Sequence, residues 1–113
     1  MAQGMDMLPH TLQRLEQTIA ARRSADPDKS YVARLHAKGL GTIAQKLGEE
    51  ATETIIAALA GTSEELIGEA ADLLFHLAVL LDAKGVTLAE VMAELDRREG
   101  TSGLAEKAAR TTD

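Results

Sequence analysis

Cysteine and tryptophan are absent from the 113 residues, and the only aromatic rings beyond histidine are Tyr31 and Phe75. Without thiols, the chain has no disulfides, thiolate zinc sites or cysteine nucleophiles. With so few rings, the core falls to Leu, Ile, Val, Ala and Met, which suits helix packing. Strand signals are missing too, since no run alternates apolar and polar residues at a period of two. The most apolar stretch, Leu73 to Leu81, is interrupted by His76, closed by Asp82 and too short to span a bilayer. The N-terminus has no basic patch leading into an apolar segment, which predicts no signal peptide and a soluble, cytoplasmic protein without a membrane partner.

Basic charge is scarce in one half of the chain. The formal net charge of -6 argues against a nucleic-acid partner. Residues 1–46 carry seven Lys or Arg against four acids, whereas residues 47–83 carry eight acids and no Lys or Arg. Acids gathered from that second stretch need neutralising by another segment or by a metal cation.

What is present reads as all-α, in a single domain over residues 1–113 with frayed ends at 1–7 and 111–113. A first helix is expected from about Pro9 to Arg23, stopped by the Ala25-Asp26-Pro27-Asp28 turn. Ser30 caps a short helix, Tyr31 to Lys38, which Gly39 ends. A third helix runs from about Gly41 to Ala60. Thr62 with Glu65 makes a capping box for a fourth that reaches Lys84, and Thr87 with Glu90 repeats the device for a fifth. Ser102 caps a last short turn or helix.

On helix three, Ile43, Leu47, Ala51, Thr54, Ile55 and Ala58 share one mostly apolar arc, with Glu50 at its margin and Glu53 further round. Helix four is apolar nearly all round. Its stripe of Leu66, Leu73, Leu77 and Leu80 is widened by Ile67, Phe75 and Val79, and its one polar arc holds Glu65, Glu69, Asp72 and His76. Acids in that setting are expected to face a crevice. A pair of acids at i, i+3 is usually a solvated face, but two pairs on consecutive helices, both at an apolar margin, favour ligands, because buried charges are paired or bind metals. Oxygen donors without His or Cys suit magnesium, or alternatively manganese. His76 reads as a packed residue. The breadth of apolar surface on helix four, with Phe75 and Val79 facing a second copy, predicts a twofold homodimer with a shared four-helix core.

The string Lys46-Leu47-Gly48-Glu49-Glu50-Ala51-Thr52-Glu53, with Glu69-Ala70-Ala71-Asp72, resembles the EExxE…ExxD signature of the MazG-like all-α nucleotide pyrophosphohydrolases. Five further segments are similar to the phosphoribosyl-ATP pyrophosphatase branch of that superfamily: Ser30-Tyr31, Lys38-Gly39-Leu40, Ile43-Ala44-Gln45-Lys46, Ala71 to Leu77, and Arg98 to Lys107. The resemblance implies magnesium-dependent hydrolysis of phosphoribosyl-ATP to phosphoribosyl-AMP and pyrophosphate, in histidine biosynthesis, by a homodimer. It implies metal ligands at Glu50, Glu53, Glu69 and Asp72, with one of these or Glu49 as the general base. For substrate it implies Arg98, Ser102 and Lys107. Several residues keep two readings: Lys46 meets a phosphate or pairs with an acid, Arg34 and Lys38 bind phosphate or form a solvated face, and Tyr31 stacks on a base or packs in the core. Thr42 departs from the Lys of many relatives and removes a potential phosphate contact. Some relatives are fused to a zinc-dependent cyclohydrolase, and that second activity is not expected here. The rival functions are a broad house-cleaning nucleoside triphosphate pyrophosphatase and a non-catalytic helical dimer.

Overall fold

The computed structural model describes residues 9–100 and 103–110. They form six α-helices and no strand: α1 His10–Arg22, α2 Tyr31–Lys38, α3 Leu40–Ala60, α4 Ser63–Ala83, α5 Leu88–Arg98 and α6 Gly103–Ala109. No helix among the described residues is long and apolar enough to cross a membrane. Ser102, the expected last cap, lies outside the described residues.

The joints follow from local chemistry. The Ser30 hydroxyl accepts the Ala33 N–H at 3.2 Å and starts α2. Gly39, at φ +102°, is the whole connection between α2 and α3. Its N–H donates to Leu35 O and its carbonyl accepts from Ile43 N, so one residue ends one helix and begins the next. For that reason α3 starts at Leu40, one residue earlier than expected. The α3–α4 hairpin turns at Gly61 and Thr62. A Cβ on Gly61 would stand 2.7 Å from Glu65 Oε1 and 3.0 Å from Ala57 O, so no side chain fits there without displacing a neighbour. Both capping boxes form. Glu65 N donates to Thr62 Oγ1 at 3.1 Å and Thr62 N to Glu65 Oε1 at 2.8 Å, with the same pair of distances at Thr87 and Glu90.

The core gathers Ile19 from α1, Val32 and Leu35 from α2, Ile43 from α3, Ala78 and Val79 from α4, and Leu88 from α5. A glutamate helps to fix α5, because Leu88 N donates to Glu16 Oε2 at 2.7 Å. Asp82, at the end of α4, lies 3.7 Å from Arg23 on one oxygen and 3.3 Å from His36 on the other, drawing α1 and α2 to that end.

Two expectations about α4 are corrected. Val79 is fully buried, so it serves this chain's own interior and not a second copy, and Phe75 packs half-buried against the same core. The helix is also not enclosed along its length. Its C-terminal half is packed by α1, α2 and α5, while its N-terminal half pairs mainly with α3 in a projecting hairpin. That hairpin displays Ile55, Ile56, Leu59 and Ile67, with Leu59 84% and Ile67 69% exposed. The radius of gyration, 16.1 Å, exceeds the roughly 13 Å of a compact globule of this length, as an extended hairpin requires.

Candidate metal centre

Helices α3 and α4 pack along most of their length. Glu50 on α3 and Glu69 and Asp72 on α4 bring one carboxylate oxygen each to within 4.8 Å of one another. Glu50 and Glu69 are half-buried and Asp72 is exposed. Glu69 Oε1 is cut off from solvent and has no hydrogen-bond partner. Burial pushes the Glu69 carboxyl group above the usual carboxylate range. The charge of Glu53, a proton-sharing contact with Glu53, and the charges of Glu50 and Asp72 raise it further. Mutual repulsion without a basic partner is what a cation would relieve, and the all-oxygen donor set suits a hard one. The residues therefore fit a divalent cation.

A crevice of about 490 Å³ opens beside the acids. Glu53, Glu69 and Asp72 line one end, and Ile56, Ala57 and Ala60 give the other an apolar wall. The expectation that Glu69 and Asp72 face a crevice holds. His76 does not share it: it is buried, as its reading as a packed residue requires. It also makes hydrogen bonds. Its Nδ1 lies 2.7 Å from the Asp72 carbonyl, which can only accept, so Nδ1 carries the proton. In the neutral ring Nε2 then accepts from the Tyr31 hydroxyl at 2.9 Å. Tyr31 stacks on Phe75 with ring centroids 6.0 Å apart, so its ring belongs to this side-chain group while one edge stays open.

Other expected residues surround the seam or stand away from it. Lys46 Nζ pairs with Glu49 Oε1 at 3.3 Å, as the acid-pairing reading has it. That bond and the charge of Glu49 raise the lysine's pKa, with smaller contributions from Tyr31 and Glu50. Glu49 also accepts from Gln45, and the two bonds hold its carboxyl group below the usual range. Arg34 donates to Pro27 O, and Lys38 is exposed at the end of α2. Arg98 donates to Glu94 Oε2 at 2.9 Å, and Lys107 is exposed on α6. None of these last four lines the crevice.

Sequence reasoning missed one residue here. Thr54, placed in the apolar arc, has its hydroxyl 2.7 Å from Glu50 O and 3.1 Å from Glu69 O. The available signal was a hydroxyl residue four positions after a candidate ligand on a face otherwise apolar.

Comparison with known proteins finds relatives over most of the chain. The family model described as phosphoribosyl-ATP pyrophosphohydrolase matches residues 12–99. A phosphoribosyl-ATP pyrophosphatase from Erythrobacter litoralis is 73% identical over 101 residues, which cover 89% of this chain and 97% of the relative. One from Novosphingobium aromaticivorans is 71% identical, covering 88% and 94%, and one from Cereibacter sphaeroides is 60% identical, covering 88% and 96%. With most of its length matched and its paired acids brought together across the α3–α4 seam, the chain belongs to the phosphoribosyl-ATP pyrophosphohydrolase family.

Proposed function

We propose that this chain hydrolyses phosphoribosyl-ATP to phosphoribosyl-AMP and pyrophosphate, a step of histidine biosynthesis. The observation that carries the reading is identity of 73% over nearly the full length of a relative bearing that name. Glu50, Glu69 and Asp72, with Glu53 beside Glu69, are the residues that would hold magnesium. When bound, magnesium shields triphosphate charge and lowers the pKa of coordinated water. Water adds to phosphorus, the α–β anhydride bond breaks, pyrophosphate departs, and a carboxylate of the cluster or Glu49 takes the water's proton. Lys46, kept charged by Glu49 and close enough to feel Glu50, meets a phosphate oxygen. Tyr31, Arg34, Lys38, Arg98, Ser102 and Lys107 are assigned to the substrate on resemblance.

The active form in this reading is a homodimer. The exposed apolar residues of the hairpin, Ile55, Ile56, Leu59 and Ile67, support it, because a second hairpin laid against them completes a four-helix core.

Pyrophosphate release from phosphoribosyl-ATP, with and without magnesium, tests the function. Turnover is expected only with metal and should greatly exceed that on ATP, GTP or oxidised nucleoside triphosphates. Comparable rates on all of them would favour the broad house-cleaning activity. No release from any substrate, with no metal binding, would favour the non-catalytic dimer.

A further inference from the structure

We infer that Thr54 is a positioning residue that sets the spacing of the metal ligands across the α3–α4 seam. The inference rests on the proposed metal site. A threonine hydroxyl four residues after a carbonyl commonly bonds back to it, and Thr54 does so with Glu50 O at 2.7 Å. Thr52, on the same helix, makes only that ordinary contact, to Gly48 O at 3.1 Å. What separates Thr54 is the second carbonyl, Glu69 O at 3.1 Å, which belongs to the other helix.

Both carbonyls lie on residues whose carboxylates meet in the acidic cluster. The hydroxyl has one proton and two acceptors in reach, so it shares the proton or alternates between them. Either way it links the backbone of one ligand to the backbone of the next, on facing helices. The acids gathered across the seam carry like charge and repel one another. Without the link, repulsion would favour drawing the helices apart at this level, separating Glu50 from Glu69. Ligand geometry, and not helix formation, is what the hydroxyl controls: α3 continues for six residues past Thr54, and α4 has its own capping box. Residues that hold ligands in place are worth about 10–100-fold in metal affinity when removed.

The test is Mn²⁺ binding to the full-length chain without substrate, read by electron paramagnetic resonance, with melting of the metal-free protein beside it. Thr54→Val keeps the shape and places a methyl group where two carbonyls sit. It should weaken Mn²⁺ binding by about tenfold, while Thr54→Ser restores affinity close to the unmodified value. Thr52→Val, the same change at an ordinary back-bond, should leave affinity unchanged. If Thr54→Val folds poorly, Thr54→Ala, which adds no bulk beside the carbonyls, gives the same reading. Unchanged affinity in a folded Thr54→Val or Thr54→Ala chain, with only a lower melting temperature, would mean simple packing and overturn the role. If the unmodified chain binds no Mn²⁺ at all, the metal site itself is wrong and Thr54 has nothing to position.

Discussion

At the scale of single residues, Glu69 is the most constrained of the clustered acids. One of its oxygens is buried without a partner, and its carboxyl group is raised by burial and by three neighbouring acids. Replacing Glu50, Glu69 or Asp72 by the matching amide keeps the shape and removes the repulsion. Each change should cut turnover by on the order of a hundredfold or more, since loss of a ligand exceeds loss of its supports. Helical circular dichroism should be kept, and the metal-free protein should melt no lower than the unmodified chain. An amide variant at any two of these positions with near-normal turnover would refute the assignment. A second carboxylate behaves in the opposite way. Glu94 accepts from Arg97 and Arg98, which hold its carboxyl group down at about 2. Because the folded value lies below the unfolded one, the stabilisation is present above the ordinary glutamate range and fades as pH falls toward about 2. Glu94→Gln should therefore melt slightly below the unmodified chain at pH 6, the difference closing as pH approaches 2. The effect is small because the pair is exposed. A gap that stays constant with pH would show that the arginine pairing contributes nothing to it.

At the scale of helices, the ends are decided by a few polar atoms. Thr62 begins the helix that carries Glu69 and Asp72, and its hydroxyl satisfies Glu65 N. Thr62→Ala should cost about 1 kcal/mol, seen as a fall of a few degrees in melting temperature with metal affinity little changed. No change in melting would mean that water replaces the cap at no cost. Such ends were legible in the sequence: Ser30 caps as a hydroxyl residue just ahead of α2, and Thr62 and Thr87 cap where a Glu three residues on says they should. The acids were legible as well, because Glu50 and Glu69 sit at apolar margins and i, i+3 spacing fixes a helical face. Contacts between helices were not. Periodicity shows that Val79 and Phe75 are apolar, but not which neighbour covers them. Ile19, sixty positions earlier, closes over that region. For the same reason the second acceptor of Thr54 lies beyond what one helical wheel can show.

For the whole molecule, the projecting hairpin sets the question of assembly. Leaving large apolar side chains such as Leu59 and Ile67 in water forgoes roughly 1.5–3 kcal/mol each. Sedimentation equilibrium at micromolar concentration should report about twice the chain mass. Leu59→Asp combined with Ile67→Asp should shift the chain toward monomer with its helical content kept, because neither residue contributes to the interior built on Ile19, Ile43 and Val79. A monomeric, fully active unmodified chain would remove the dimer from the proposal.

The single-residue joint at Gly39 also has a kinetic meaning. A connection with no slack leaves almost no loop to close, so α2 and α3 meet as soon as both are helical, and Gly61 with Thr62 does nearly the same for α3 and α4. Folding dominated by such neighbouring contacts belongs to the fast, low-contact-order regime. Contacts of much longer reach bring α1 into the core, where Ile19 joins Val79 and Leu88 and Glu16 accepts from Leu88 N, and these need α1 to return across the helices between. The seam holding the acids can therefore assemble before α1 is in place, so that the hairpin takes shape from its own neighbouring contacts and the first helix, although made earlier, docks afterwards on the far half of α4.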